Sequence, residues 1–392
     1  MKNYYYLLSV ILCLAQTAYS QGHPYEVKFS YQIEKEVAEN KISPSRAGLL
    51  YSLIGDYSNS IQYSEIPVSW GVDTLSLQPY ATTNALQTII AKAKNEQIII
   101  ISENHLKPQH RIFARKLITA LAEIGFDHLG LETFSSNANS NILLDSTLSD
   151  RGYPLNSPMT GTYTLEPQMG ELVRTATKSN LKLFAYERSA KIDGKDRDEI
   201  QADNIIKYLK SEPNAKLIIL CGFHHAVESN LIKRGKSFWM AKYLKDKLGV
   251  DPMTIYQDNF TEKKIENEHP YLKSFDLSVP AVFVDDRGQQ LILTEHVDFE
   301  VIHPKTYYRN GRPHWLYDST MHKPVKIDIK ISKLDLPVIA AAYPVGEINS
   351  VPVDRVEIKH KYNNKVLVLK PGKYKIVLND GENTYQYTET VE

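Results

Sequence analysis

The sequence predicts an α/β protein: a mostly parallel sheet with helices on both faces, a short helical hairpin before it, and a small all-β, sandwich-like domain after it. Three observations carry that reading. Six short apolar runs, at 97–102, 128–132, 181–186, 216–221, 253–257 and 281–284, are spaced so that helical segments fit between most of them. Those intervening segments repeat apolar residues at helical spacing. Beyond about residue 320 the apolar spacing changes to period two, broken by "PGK" and "NDGEN" turns, the pattern of antiparallel strands. Strand and helix in alternation imply a largely parallel sheet covered on both faces.

The elements follow in order. Residues 1–20 read as a signal peptide, with Lys2 as the positive segment, a short apolar stretch at 7–15, and Ala18-Tyr19-Ser20 as the cleavage pattern. The expected location is therefore secreted or periplasmic. Residues 21–82 form a helical extension, read as a hairpin with Gly55-Asp56-Tyr57 at its turn. The α/β domain covers 83–285. Its first helix, at 108–124, has Ile112, Phe113, Leu117, Ile118 and Leu121 at helical spacing, Pro108 in the first turn and Gly125 just past the end. A second helix, at 196–209, carries Ile200, Ile205, Ile206 and Leu209, and a third, at 238–248, stops at Gly249. Residues 286–319 read as a bridge without a clear element. Residues 320–392 form the β domain, expected to fold separately and to be dispensable for chemistry.

Composition narrows the partners. Lys plus Arg total 46 and Asp plus Glu total 46, for a formal net charge of zero. No bulk charge draws the chain to nucleic acid or to an anionic membrane. After the signal segment no run is long and apolar enough to span a bilayer. Of the two cysteines, Cys13 lies in the signal segment, so Cys221 has no internal disulfide partner. Its place at the end of "KLIILC" predicts a buried structural thiol.

In a parallel α/β sheet, ligands bind beyond the carboxyl ends of the strands. The residues there are Glu103 and His105 after the first run and Glu132 after the second. Tyr186, Glu187 and Arg188 follow the third, and His224 and His225 the fourth. Carboxylates and imidazoles from four separate runs thus converge. Residues 103 and 105 share a side if the chain stays extended. A carboxylate beside an imidazole orients the ring and raises its basicity. The pair is then a general base with its orienter, half of a metal site, or a structural ion pair. Tyr163 and Glu166 either line the same pocket or open the next helix.

The stretch "SENHLKPQHRIFARKLITALAEIGFDHLGLETF" resembles the superfamily of erythromycin esterases, ChaN-like haem-binding proteins and Tiki/TraB-type metalloproteases. Glu103, His105 and Glu132 match its motif positions, with Ser102 in place of the usual glycine. "GFHHA" is similar to its later Gly-x-x-His motif and selects His225 rather than His224. "RDEIQADNI" from Arg197 is similar to the helix before that motif. The resemblance spans about residues 83–260. It implies a hydrolase of an ester, lactone or amide in a small molecule or peptide, with Glu103, His105, Glu132 and His225 catalytic. Those four would also hold Mn²⁺, Zn²⁺ or Fe²⁺ if a divalent metal takes part. Arg111, Arg188, Arg197 and Tyr163 are the expected substrate-binding residues. The resemblance also allows an alternative, capture of haem or iron.

Overall fold

The computed structural model describes residues 27–63, 80–137, 140–187, 194–229, 237–262, 275–294, 296–362 and 364–392. The expected signal peptide and Arg188 lie outside the described residues. Among the described residues three helices come first: α1 (Ser30–Ala38), α2 (Pro44–Leu53) and α3 (Tyr57–Tyr63). The Ser43 hydroxyl accepts from the Arg46 N–H and so caps α2, while Pro44 sits where no N–H is needed. The Gly55-Asp56 turn separates α2 from α3, as the sequence predicts.

The main sheet has eight strands: β1 (Ala81–Asn84), β2 (Ile98–Glu103), β3 (His128–Leu131), β4 (Lys182–Ala185), β5 (Leu217–Gly222), β6 (Met253–Phe260), β7 (Ala281–Val284) and β8 (Phe299–Ile302). Their order is β1-β7-β8-β6-β2-β5-β3-β4. All neighbours from β8 to β4 run parallel, and β7 is antiparallel to both β1 and β8. The six apolar runs are all strands. β1 and β8 are additions. β1 reads "ATTN", too polar to signal a strand. β8 reads "FEVI" and lies in the stretch read as a bridge, with Glu300 buried at its second position. That carboxylate is satisfied by the Leu293 and Thr294 N–H groups and by the Asn259 amide, so a polar residue is accommodated inside the sheet.

The helices of this layer are α4 (Ala85–Ala93), α5 (Pro108–Glu123), α6 (Leu148–Arg151), α7 (Pro167–Lys178), α8 (Arg197–Ser211) and α9 (Met240–Leu248). Strand β2 explains its own isoleucine run. Ile99 and Ile101 pack with α4, α5 and α7 on one face, and Ile98 and Ile100 pack with α8 and α9 on the other. Each of the four is at most 1% exposed, and each such side chain contributes about 1.5–3 kcal/mol by leaving water. A strand buried on both faces therefore ends with its terminal residue held rigidly, at a fixed place on the sheet's edge.

The remaining strands are β9 (Tyr308–Arg309), β10 (Arg312–Pro313), β11 (Lys323–Lys326), β12 (Val338–Pro344), β13 (Asp354–Ile358), β14 (Val366–Leu369), β15 (Gly372–Asn379) and β16 (Thr384–Val391). A four-stranded sheet, β13-β12-β15-β16, and the β11–β14 pair enclose one apolar core, which gives the sandwich-like domain. This domain is also tied to the rest of the chain. Ile339 and Val351 pack with α1 and α2, and Val366 and Val368 share a cluster with Tyr57, Ile112 and Trp315. Buried Arg312 pairs with Asp354, and Arg174 of α7 pairs with Glu347. These contacts are tertiary packing that one-dimensional patterning does not register. Among the described residues, no helix is long and apolar enough to cross a membrane.

Candidate functional site

Glu103 is the last residue of β2 and is 2% exposed. The chain does not stay extended beyond it, as the period-two reading supposed; it turns. Asn104 makes the turn, its side-chain oxygen accepting from the Leu106 N–H at 3.0 Å, while its own N–H donates to His110 Nδ1 at 3.1 Å. This turn still returns His105 to Glu103, with Nδ1 2.9 Å from Oε1. Arg111, in the first turns of α5, grips the same carboxylate: Nε donates to Oε2 at 2.6 Å and Nη2 to Oε1 at 3.1 Å. Its Nη2 also donates to the His105 carbonyl at 2.9 Å, and its Nη1 to Glu166 Oε2 at 2.9 Å. Paired this way, Glu103 is held down to about 2 although burial opposes its charge, chiefly because the Arg111 guanidinium lies beside it.

The Glu103 carboxylate accepts from His105, so the proton of Nδ1 points at Glu103. The ring is fixed on three sides. Tyr163 stacks on it at 4.1 Å between centroids, and Phe223 meets it edge-on at 5.3 Å. Gly222, the last residue of β5, lies against Nε2: a Cβ there would stand 2.4 Å from that atom. Phe223 follows in the left-handed region, with φ +43°, a conformation that a bulky side chain adopts only under constraint. Replacing Gly222 by alanine is therefore expected to tilt His105 off Glu103 and lower any turnover by about 10²-fold. Turnover and circular dichroism of G222A check this, and an unchanged rate would dissociate the ring position from activity.

Glu132 follows β3 and accepts from the Gly222 N–H and from Arg197 Nη2. Its carboxyl is held below the usual range: burial raises it, and the His105, His225 and Arg197 charges outweigh burial. His225 lies 3.7 Å from Glu132 Oε1. Its Nδ1 is 2.5 Å from Asp198 Oδ1, which also accepts from the Met240 N–H at 2.9 Å. Its Nε2 accepts from Arg197 Nη1 at 3.1 Å. His224 instead stacks on Trp239, whose ring also meets His225 edge-on. Two carboxylate-oriented imidazoles, Glu103–His105 and Asp198–His225, thus flank Glu132. The cavity beside Glu103, His105, Glu132 and Tyr163 measures about 10 Å³, room for about one water-sized group.

The structure brings Glu103, His105, Glu132, His225, Arg111, Arg197 and Tyr163 together. It reassigns Arg111, expected to bind substrate: fully buried and bonded to two carboxylates, it positions Glu103 and has no free face. Arg197, by contrast, keeps its side chain 39% exposed. Among the described residues no three His, Cys, Asp or Glu side chains are arranged to hold a metal ion. The reason is charge, since Arg111 and Arg197 already hold the carboxylates and Arg197 faces the free nitrogen of His225. Sequence reasoning missed Asp198, which sits next to Arg197 in "RDEI", and undervalued Glu166. Glu166 does open α7, accepting from the Met169 N–H at 2.9 Å, but it also bonds Arg111 and the Tyr57 hydroxyl.

The fold and site define an α/β protein with an oriented-histidine centre at the carboxyl edge of its sheet. No family model matches the sequence, and no curated protein matches it. Among solved structures the chain is similar to the type III effector HopBA1, at 12% identity and a TM-score of 0.35, over 56% of this chain and 93% of that one. It is also similar to RRSP, a MARTX toxin effector domain from Vibrio vulnificus CMCP6, at 14% identity and 0.31, over 57% and 48%. A third is the C-terminal region of Pasteurella multocida toxin, described as having a thiol-protease like catalytic triad, at 12% identity and 0.29, over 88% and 54%. In this chain Cys221 is 1% exposed, its Sγ is 3.7 Å from the Ile101 carbonyl, and burial pushes the thiol up. It is a core residue of β5, not a presented nucleophile.

Proposed function

We propose that the protein is a hydrolase of an ester, lactone or amide bond, with His105 as the general base. The observation that carries this reading is the Glu103–His105 hydrogen bond locked by Arg111, with both residues lining the small cavity. In this mechanism His105 Nε2 takes a proton from water as the water attacks the carbonyl carbon. Glu103 stabilises the imidazolium that forms. Arg197, already shared between Glu132 and Glu187, donates to the developing oxyanion. The His105 imidazolium then returns that proton from Nε2 to the leaving group, and His225, held by Asp198, accepts from Arg197 and so positions its guanidinium. The resemblance to the erythromycin esterase superfamily supports hydrolysis, and the reading of residues 1–20 supports action outside the cytoplasm. The test is turnover of a panel of p-nitrophenyl esters, lactones and peptide amides by the full chain beside its His105→Asn variant. Turnover that the variant loses supports the reading. No turnover of any panel member, or turnover that survives the substitution, overturns it.

Acid stability offers a separate check on the buried pairing. Glu103 drops from 4.5 to about 2 on folding. The stability from its ionised form is present above about pH 4.5 and is lost as pH falls towards 2. Urea unfolding of wild type and Glu103→Gln across that window should show a steeper acid loss in the wild type; parallel curves would mean that the pairing contributes no such stability.

A further inference from the structure

A second cavity, of about 400 Å³, lies at the same edge of the sheet and on the other side of α5. Strand β8 runs parallel to β2 through β6, and β1 parallels β8 through β7. Asn84 ends β1 and His303 follows β8, so this cavity too lies beyond strand carboxyl ends, where ligands of open α/β sheets bind. Its volume falls in the range of small-molecule pockets, roughly 300–1000 Å³. Helix α5 serves both places: Arg111 grips Glu103, while Ile112, Phe113 and Lys116 line this second cavity.

The lining specifies a ligand chemistry. Tyr307 and His314 stack face to face at 3.9 Å, and Trp315 and Tyr317 complete an aromatic wall. Such faces favour an apolar ring. Lys116 and Arg309 supply positive charge, and the acid beside them, Asp318, is already paired with Arg115 and His322. A cation is therefore disfavoured and a carboxylate favoured. The third requirement comes from His303, which is 1% exposed. The Gln257 amide N–H₂ donates to the Ser102 carbonyl at 2.6 Å, which turns its oxygen towards His303 Nε2 at 3.0 Å. Nε2 therefore carries the proton and Nδ1 is an acceptor. Among the described residues no donor reaches Nδ1. Burial pushes the ring down to about 3, so it is neutral at neutral pH. A buried acceptor without a donor is costly, and a ligand hydroxyl or N–H would supply the missing bond.

We propose that this cavity binds a small ring-bearing carboxylic acid that also carries a hydroxyl donor. The proposal stands independently of the hydrolase reading. Two sources share the chemistry, hydroxylated aryl acids and sugar acids, and calorimetric titration of the full chain distinguishes them. The probes are 4-hydroxybenzoate and glucuronate, with phenol and methyl glucoside as neutral parents and tyramine as the cation. Saturable binding of one acid is expected, with its neutral parent weaker by about tenfold, the loss of one charge-assisted hydrogen bond. Lys116 is exposed on α5, so Lys116→Gln should fold normally and remove that tenfold difference. Trp315→Ala should weaken the acid and its parent together. The proposal is overturned if neither acid binds at millimolar concentration, if tyramine binds as well as the acids, or if both variants bind as wild type does.

Discussion

Replacing His105 by asparagine is expected to lower kcat/KM by about 10²–10⁴-fold for whichever panel substrate the wild-type chain hydrolyses, the usual contribution of a positioned general base. Asparagine can still reach the Glu103 carboxylate through its amide, so the buried acceptor keeps a donor and the fold should persist. What disappears is the basic nitrogen beside Gly222. The effect should fall on kcat more than on KM, because proton abstraction belongs to the transition state. Initial rates and a urea titration on the same preparation separate the two consequences. A large loss of stability accompanying the lost rate would make His105 a structural residue and would remove its chemical role.

Replacing Arg111 by methionine is expected to lower the unfolding free energy by about 3–5 kcal/mol. Methionine matches much of the side chain's length but leaves Glu103 and Glu166, 2% and 0% exposed, without their shared cation. An uncompensated buried charge is what makes breaking such a pair so costly, far more than the net worth of the pair itself. The damage should spread, because Glu166 also holds the Tyr57 hydroxyl at 3.1 Å and the first turn of α7. Adding Glu103→Gln to Arg111→Met should recover part of the loss by removing one of the stranded charges. Urea unfolding of the two single variants and the double variant measures the coupling. Additivity within about 0.5 kcal/mol would show that the pair does not act as a unit.

Both expectations place function and stability in one network. Arg111 holds Glu103 on the side of the small cavity and Glu166 on the scaffold side. Tyr57 of the helical extension reaches Glu166, and the Tyr57 ring packs 5.0 Å from Trp315. The extension and the stretch read as a bridge therefore buttress the site. Truncation within either is a change to the site's support, even though neither contributes a reacting group.

The sequence by itself determined the six core strands, the helices between them and the points at which the strands end. A strand buried on both faces must be continuously apolar, so the residue where polarity returns marks the sheet edge. That is why Glu103, His105, Glu132 and the His224–His225 pair could be placed at the sheet edge from the linear chain, the choice of His225 coming from the family resemblance. It also determined Cys221 as a core thiol, since the residue completes an apolar run. Only the tertiary structure decided what those carboxylates do. Arg111 meets Glu166 across 55 positions, Tyr57 meets Glu166 across 109, and Asp198 meets His225 across 27. No periodicity or motif encodes such pairings, because they arise where separate elements pack. The tertiary structure likewise decided that β1 and β8 join the sheet. A short strand beside an established sheet needs little apolar signal of its own, because its neighbours supply the hydrogen bonds and the burial.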